Sequence, residues 1–364
     1  MKVAIVHDYL TQRGGAERVA LALHRMFPRA PIYTSVYDPD GTFPEFRRAR
    51  VVTSYLQRLP HRGNLFRAYL LLYADSFRRL RVDGYDLVVS SSSGWAHGVA
   101  TAADRHVCYC HNPARWLYQT DEYLAGGALV PAWARPLLTP TLARLRRWDR
   151  VAATRPTAYV ANSRVVAHRI ERCYGRRARV VHPPVDVGRF ERTGTRPGRT
   201  DGHYLSVARL LPYKRVDLAV RVCTATGRPL VVVGDGPARA SLEKLAGPTV
   251  RLVGRVDDAT LRELYGGARG LIQCGEEDFG IAPLEANAAG VPVAALGRGG
   301  ALETVVDGRT GALFDEQSTG SLAGALDRLE SARWDADALR DHACAFSEAR
   351  FADRFGQELS RAVA

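Results

Sequence analysis

With 364 residues, 46% of them hydrophobic, the chain is long enough for two globular domains with separate cores, since single cores rarely grow much past ~250 to 300 residues. Its formal charge of +13 is uneven: residues 1–190 hold 29 Lys and Arg against 14 Asp and Glu, and the remainder holds 22 against 24, so the first half suits an anionic partner unless it only reflects an arginine-rich composition. Six scattered cysteines lack the spacing of a disulfide scaffold, no run of about 18 uncharged apolar residues occurs, and the N-terminus enters a strand pattern without signal-peptide flanks, which together lead us to expect reduced thiols and a cytosolic protein, or one attached to a membrane surface.

The apolar run Lys2–Val6 predicts a strand ended by Thr11-Gln12-Arg13-Gly14-Gly15, and Ala16–Met26 then carries helix formers with Val19, Leu23 and Met26 on one face. Strand patterns return at Tyr85–Ser90, His106–Cys110 and Ala158–Ala161, the last followed by Asn162-Ser163 as a helix N-cap signal. Cys108-Tyr109-Cys110 is too closely spaced for a zinc knuckle and reads as strand. A second series runs through His203–Val207, Pro229–Val233, Val250–Val253, Gly270–Gln273 and Val291–Ala295. Between the series, Glu191–Asp201 has the Gly, Pro, Thr and charge content of a linker. Strands alternating with helices imply parallel sheet, so the expected fold class is α/β, with two Rossmann-like doubly wound domains, 1–190 and 202–345, facing a cleft that holds the ligand.

The most specific signal is the stretch from Glu276 to Val293, which sets Glu277 and Glu285 eight positions apart across a loop and a helix start. Phe279-Gly280-Ile281 precede a helix opening near Pro283, whose N-terminal N–H groups and positive end suit a diphosphate. Arg209 and Lys214 follow the first strand of the second series, where two fixed cations would balance such a group. Gly14 and Gly15, at the carboxyl end of the first strand, would let backbone approach a phosphate or a sugar without a Cβ in the way. Neither this turn nor Gly234-Asp235-Gly236-Pro237 matches the dinucleotide fingerprint. Asp38-Pro39-Asp40 and Asp335-Ala336-Asp337 carry the D-x-D pattern of metal-dependent sugar transfer, but in turn-like or helical surface contexts, so no metal is expected.

These residues resemble the E-x7-E signature of retaining glycosyltransferases of the two-Rossmann-domain (GT-B) class, specifically family 4. The resemblance spans nearly the whole chain, through Gly14-Gly15-Ala16-Glu17, Cys110-His111-Asn112-Pro113, Asn162-Ser163, His182-Pro183-Pro184-Val185-Asp186, Ala208-Arg209-Leu210 and Tyr213-Lys214-Arg215. It implies a nucleotide diphosphate sugar as donor substrate, a hydroxyl acceptor on a glycan, lipid-linked glycan or natural product, and no cofactor. It directs Glu277 to the donor sugar, Glu285 to the ribose, and His111 to positioning and transition-state stabilisation against the sugar. Phe346–Phe351 resembles the family's closing helix, so 346–364 is expected to return to the first domain. His7-Asp8-Tyr9-Leu10 with Tyr213-Lys214-Arg215 looks most like bacterial O-antigen and exopolysaccharide mannosyltransferases, which favours GDP-mannose over a UDP-sugar.

Trp95, His97 and Trp116 are candidates for the acceptor side. Aromatic residues beside arginines in Leu65–Tyr73, with Phe77 beyond, and again in Leu138–Val151 suit either an anionic lipid surface or core-facing helices with charged outer faces. The alternatives are a nucleotide-sugar 2-epimerase on the same fold, whose acid/base set is not identifiable, and a nucleic-acid binder, which lacks any base-reading motif and is not expected.

Overall fold

The structure, a computed structural model, describes residues 1–59, 70–119, 135–190 and 202–363. Among the described residues, the strands are β1 (Val3–His7), β2 (Ile32–Thr34), β3 (Val51–Thr53), β4 (Leu87–Ser92), β5 (Arg105–Cys110), β6 (Ala158–Ala161) and β7 (Ala178–Val180), then β8 (His203–Val207), β9 (Leu230–Val233), β10 (Val250–Gly254), β11 (Ala268–Gln273), β12 (Val293–Leu296) and β13 (Gly311–Phe314). They form two sheets, ordered β3-β2-β1-β4-β5-β6-β7 and β10-β9-β8-β11-β12-β13. The pairings are parallel. Helices between the strands make each sheet doubly wound, as the alternation in the sequence predicts. β4 and β9 are buried along their whole length, the continuous burial expected of parallel strands covered on both faces.

The chain divides into two compact units: the first runs to Pro184 and takes back Glu348–Val363, and the second is Val185–Ser347. In the first, the period-two alternation of strands sorts the core onto two faces. Ile5, Leu87, Val89 and Tyr109 pack with Val19 and Leu23 of the helix Gly15–Met26. Ala4, Val6 and Val88 pack on the other side with Phe77, Trp95 and Leu145. The second unit repeats this, with Leu205, Val231 and Leu271 on one face and Tyr204, Leu230, Val232 and Ile272 on the other.

The last helix, Glu348–Val363, belongs to the first unit because it offers Phe351, Phe355 and Leu359 at four-residue spacing, all buried. The two phenylalanine rings stack at 5.5 Å, and Tyr109 meets them edge-on at 5.7 and 5.8 Å. The units change over at Pro184, earlier than residue 190, because Val187 and Phe190 join the core of the second unit, Phe190 lying edge-on to Tyr265 at 5.2 Å. The linker Glu191–Asp201 lies outside the described residues.

The arginine and aromatic stretches are helical where described. Tyr73 and Phe77 of Leu70–Arg79 are buried, as is Leu145 of Arg135–Ala152, while Arg144, Arg147 and Arg150 stay outside. Their apolar faces therefore serve the core; Phe66, Arg67 and Tyr69 lie outside the described residues. No helix among the described residues is long and apolar enough to cross a membrane.

Removing the Phe355 ring should cost about 3–5 kcal/mol, because it leaves a cavity between the last helix and β5. Urea denaturation of Phe355→Ala should show a clearly lowered midpoint; an unchanged midpoint would mean that the helix is a loosely attached tail.

Candidate functional site

In the second sheet the strand order reverses between β8 and β11, and a crevice opens outside the carboxyl ends of such a strand pair. Two segments leave the sheet there, Ala208–Lys214 after β8 and Cys274–Gly280 after β11. They bring Lys214 and Glu277 together: the ammonium donates to the carboxylate, with only 15% and 17% of the two side chains exposed. Arg209 is exposed and makes no ion pair among the described residues. One cation is thus neutralised by a carboxylate, and the other is exposed to solvent.

Backbone contacts fix both segments. The N–H of Ala208 donates to Val233 at 3.1 Å, that of Leu210 to Asp235 at 3.0 Å, and that of Ala238 to Leu210 at 3.0 Å, stitching Arg209 to the Gly234–Ala238 loop. Gly234 has φ +130°, and a Cβ there would stand 1.9 Å from the carbonyl oxygen of Ala208, so only glycine fits. On the other side, the N–H of Gly300 donates to the Glu277 carbonyl at 2.8 Å, and a Cβ on Gly300 would lie 2.3 Å from the Cα of Phe279. Of these two glycines, the sequence reading weighed Gly234 only against the dinucleotide fingerprint and passed over Gly300, because close backbone approach leaves no local sequence signal.

Phe279 is buried against Val185 and Leu284, with the Phe346 ring 5.8 Å away. Gly280, at φ +88°, opens the helix Ile281–Ala288 and, being glycine, gives it no side-chain cap, and the first-turn N–H groups carry the partial positive charge of a helix N-terminus. The helix starts at Ile281, two residues before the expected opening at Pro283. Glu285 sits inside it, 6% exposed, and accepts from the Tyr265 hydroxyl at 3.4 Å.

The first unit carries a different arrangement at its own reversal, between β1 and β4. Asp8 accepts from the backbone N–H groups of Ser93, Trp95 and Ala96 at 2.5, 3.1 and 2.6 Å and so holds the loop after β4. His111, just beyond β5, places Nε2 2.8 Å from Ser91 Oγ, which in turn lies 3.1 Å from His7 Nδ1. The helix Gly15–Met26 begins after Gly14, whose N–H donates to Glu17 at 3.0 Å. A phosphate or sugar approaching Gly14 therefore meets an N–H already engaged, while Gly15 stays exposed.

Of the acceptor-side candidates, Trp95 and His97 are interior residues. Trp95, 5% exposed, stacks on Trp116 at 4.6 Å and on Tyr73 at 5.6 Å. His97, 2% exposed, lies 3.0 Å from Ser92 Oγ and 3.2 Å from the Asp149 carboxylate. Both read correctly as core; half-buried Trp116 is the member of the trio nearest solvent.

Burial works against a charged His97 ring, but Asp149 beside it lifts the ring above its ordinary value. Burial, with no carboxylate to offset it, pushes His111 and His106 down to about 3. The unfolded chain then binds more protons than the folded one between about pH 6.5 and 3, so stability is full above that window and is lost as pH falls through it, by up to about 1.4 kcal/mol per pH unit for each ring. The His97 contribution has the opposite sign and a window above pH 6.5, so the two separate. His106→Gln should flatten the fall in unfolding free energy between pH 6 and 4; a slope equal to that of the wild type would mean that His106 is not held neutral.

Two family models match consecutive parts of the chain: "Glycosyltransferase Family 4" over residues 13–189 and "Glycosyl transferases group 1" over residues 190–344. Among curated relatives, a GDP-mannose-dependent alpha-mannosyltransferase from Mycolicibacterium smegmatis is 32% identical over 56% of this chain and 54% of its own length. A D-inositol 3-phosphate glycosyltransferase from Catenulispora acidiphila is 29% identical over 46% of each. The chain thus spans about half the length of the curated relatives it matches. Among solved structures, HepE from Anabaena in complex with UDP-glucose superposes with a TM-score of 0.71 at 17% identity, covering 99% of this chain and 100% of that one, a likeness of fold. The two models in tandem cover residues 13–344, which hold all but the first strand of the two doubly wound sheets, and the chain belongs to glycosyltransferase family 4.

Proposed function

We propose that the protein transfers a hexose, with mannose favoured, from a nucleotide diphosphate sugar to a hydroxyl acceptor with retention of anomeric configuration and without a metal ion. The observation that carries this reading is the Lys214–Glu277 pair beside the unneutralised Arg209, at the strand-order reversal of the second sheet. A diphosphate entering there takes Arg209 and Lys214 as counter-ions and the first-turn N–H groups after Gly280 as hydrogen-bond donors. Glu277, released from Lys214, then accepts from hydroxyls of the sugar. Fixed cations that stabilise the departing diphosphate do the work a metal does elsewhere. The similarity to a mannosyltransferase that uses GDP-mannose supports mannose as the sugar and GDP as the carrier.

Glu285 is assigned to the ribose side. It needs no large movement, since its carboxylate already sits one turn inside the helix that Gly280 opens. His111, neutral at physiological pH, is assigned to positioning and transition-state stabilisation rather than to proton abstraction, because a retaining displacement on one face lets the leaving phosphate take the acceptor proton. The basic first half is assigned to an anionic acceptor or an acidic membrane surface on the cytoplasmic side.

Glu277→Gln and Arg209→Ala should each lower sugar transfer by about 100- to 1000-fold, the typical effect of removing one preorganised group aimed at developing charge, while both variants stay folded, Arg209→Ala with thermal unfolding close to that of the wild type and Glu277→Gln with some loss of stability from the unpaired Lys214. Release of nucleoside diphosphate from GDP-mannose and UDP-glucose reads both the effect and the base preference. Activity within about fivefold of wild type in either variant would overturn the donor site.

Activity should also survive EDTA followed by desalting, because two side-chain cations and a helix N-terminus supply the charge. Loss of turnover that returns only on adding a divalent ion would refute metal independence.

A further inference from the structure

We propose that Glu17, His7 and Ser91 form a buried relay that fixes the tautomer and ring orientation of His111, which makes these three residues positioning residues for the reaction. The proposal rests on the reading of His111 given above, and its main measurement does not.

Strand register makes the cluster. Ile5, Val89 and Tyr109 share one core face of the first sheet. Side chains two positions further along each strand stay on that face. Those positions are His7, Ser91 and His111, so an apolar row is followed at the carboxyl edge by a polar one. His7 and Ser91 are register partners across β1 and β4, and Ser91 is the partner of Tyr109 across β4 and β5. The Tyr109 ring lies 5.2 Å from that of His111 and sets its tilt from below. Glu17 enters from the helix Gly15–Met26, which packs on the same face.

The members are nearly sealed from water: His7 and Glu17 are each 1% exposed, Ser91 is fully buried, and His111 is 9% exposed. Such a row must satisfy its hydrogen bonds internally, and the Ser91 hydroxyl has one proton to share between two rings. The Glu17 carboxylate decides the direction. It is held by the Gly14 N–H at 3.0 Å and the Gln12 amide at 3.1 Å, and it lies 3.9 Å from His7 Nε2. At that length it makes no hydrogen bond to His7, but its charge favours the proton on the nitrogen that faces it. His7 Nδ1 is then the acceptor, Ser91 donates to it, and Ser91 Oγ accepts from His111 Nε2–H. All three donors point towards Glu17. His111, kept neutral by burial, is left with a bare Nδ1, a hydrogen-bond acceptor of fixed direction. The side chains that carry His111 thus come from three strands and a helix, and the tautomer is set by a carboxylate three groups away.

Nitrogen-15 NMR of the imidazoles in the full chain reads the tautomer directly. Wild-type His111 should show one tautomer with Nε2 protonated, and Ser91→Ala should show a mixture. GDP release from GDP-mannose should fall by about 10- to 100-fold in kcat, with donor KM unchanged, the usual scale for losing an orienting partner. Because Ser91 is buried, a second pair guards against a folding defect: His7→Asn, whose amide oxygen can take the Ser91 proton, should keep the tautomer and most of the activity, and His7→Leu should lose both. A single unchanged His111 tautomer in Ser91→Ala and in His7→Leu would overturn the relay. Full activity of His111→Asn would instead overturn the role given to His111, with the tautomer measurement still deciding whether the relay exists.

Discussion

At several places in the second unit, backbone lies against backbone with no room for a Cβ, and two of them fix the segments that carry Arg209 and Glu277. Gly234 faces the carbonyl of Ala208, and Gly300 faces the backbone of Phe279. The first contact locks the segment that carries Arg209; the second locks the loop that carries Glu277. Side-chain packing alone would leave such loops free to shift by an ångström, whereas hard-sphere contact between main chains does not. A misplacement of that size is costly in a site whose catalysis is positioning and electrostatics. Alanine at either position forces one of two main-chain segments to move, and those segments carry Arg209 and Glu277, the cation and the carboxylate of the proposed donor site.

The Lys214–Glu277 pair gains its meaning from this rigidity. Two mostly buried opposite charges satisfy each other, so neither is stranded while the site holds no donor. A sugar diphosphate can replace both partners at once, phosphate for carboxylate and hydroxyls for ammonium. Binding then exchanges one set of charge-assisted hydrogen bonds for another rather than desolvating two bare charges. Arg209 lies outside the pair and supplies the net positive charge that favours the exchange.

Much of this was legible in the sequence. The long apolar strands announced both sheets, and Asn162-Ser163 announced a helix that Ser163 does cap, its hydroxyl accepting from the Val166 N–H at 3.2 Å. The Glu277 to Glu285 spacing across a glycine-opened helix located the second unit's motif. The short strands β2, β3 and β7 escaped because three residues carry too little alternation to stand out, and β13 because it begins on glycine. Trp95 and His97 were read towards an acceptor because aromatic and imidazole side chains look the same in sequence whether they line a pocket or fill a core. The tertiary contacts of Tyr73, Trp116 and Asp149 decide for the core. The packing role of Gly234, weighed only against a dinucleotide fingerprint, and of Gly300 was hidden for a related reason, since what excludes their Cβ comes from a distant stretch of chain.

The two sheets reverse strand order at equivalent points, β1 beside β4 and β8 beside β11, yet the chemistry built there differs. In the first unit the reversal is filled by the protein itself: Asp8 takes three backbone N–H groups, and His7, Ser91 and Glu17 lean on one another. Its polar groups are committed to holding a loop and a ring. In the second unit the corresponding place keeps an exposed arginine with no ion pair among the described residues and a helix whose N-cap glycine offers no side-chain acceptor. A topology that offers every doubly wound sheet a crevice therefore becomes an anion site only where the side chains leave charge unspent. That difference is what supports placing the anionic part of the proposed donor in the second unit, and in the first unit burial keeps the His111 imidazole neutral.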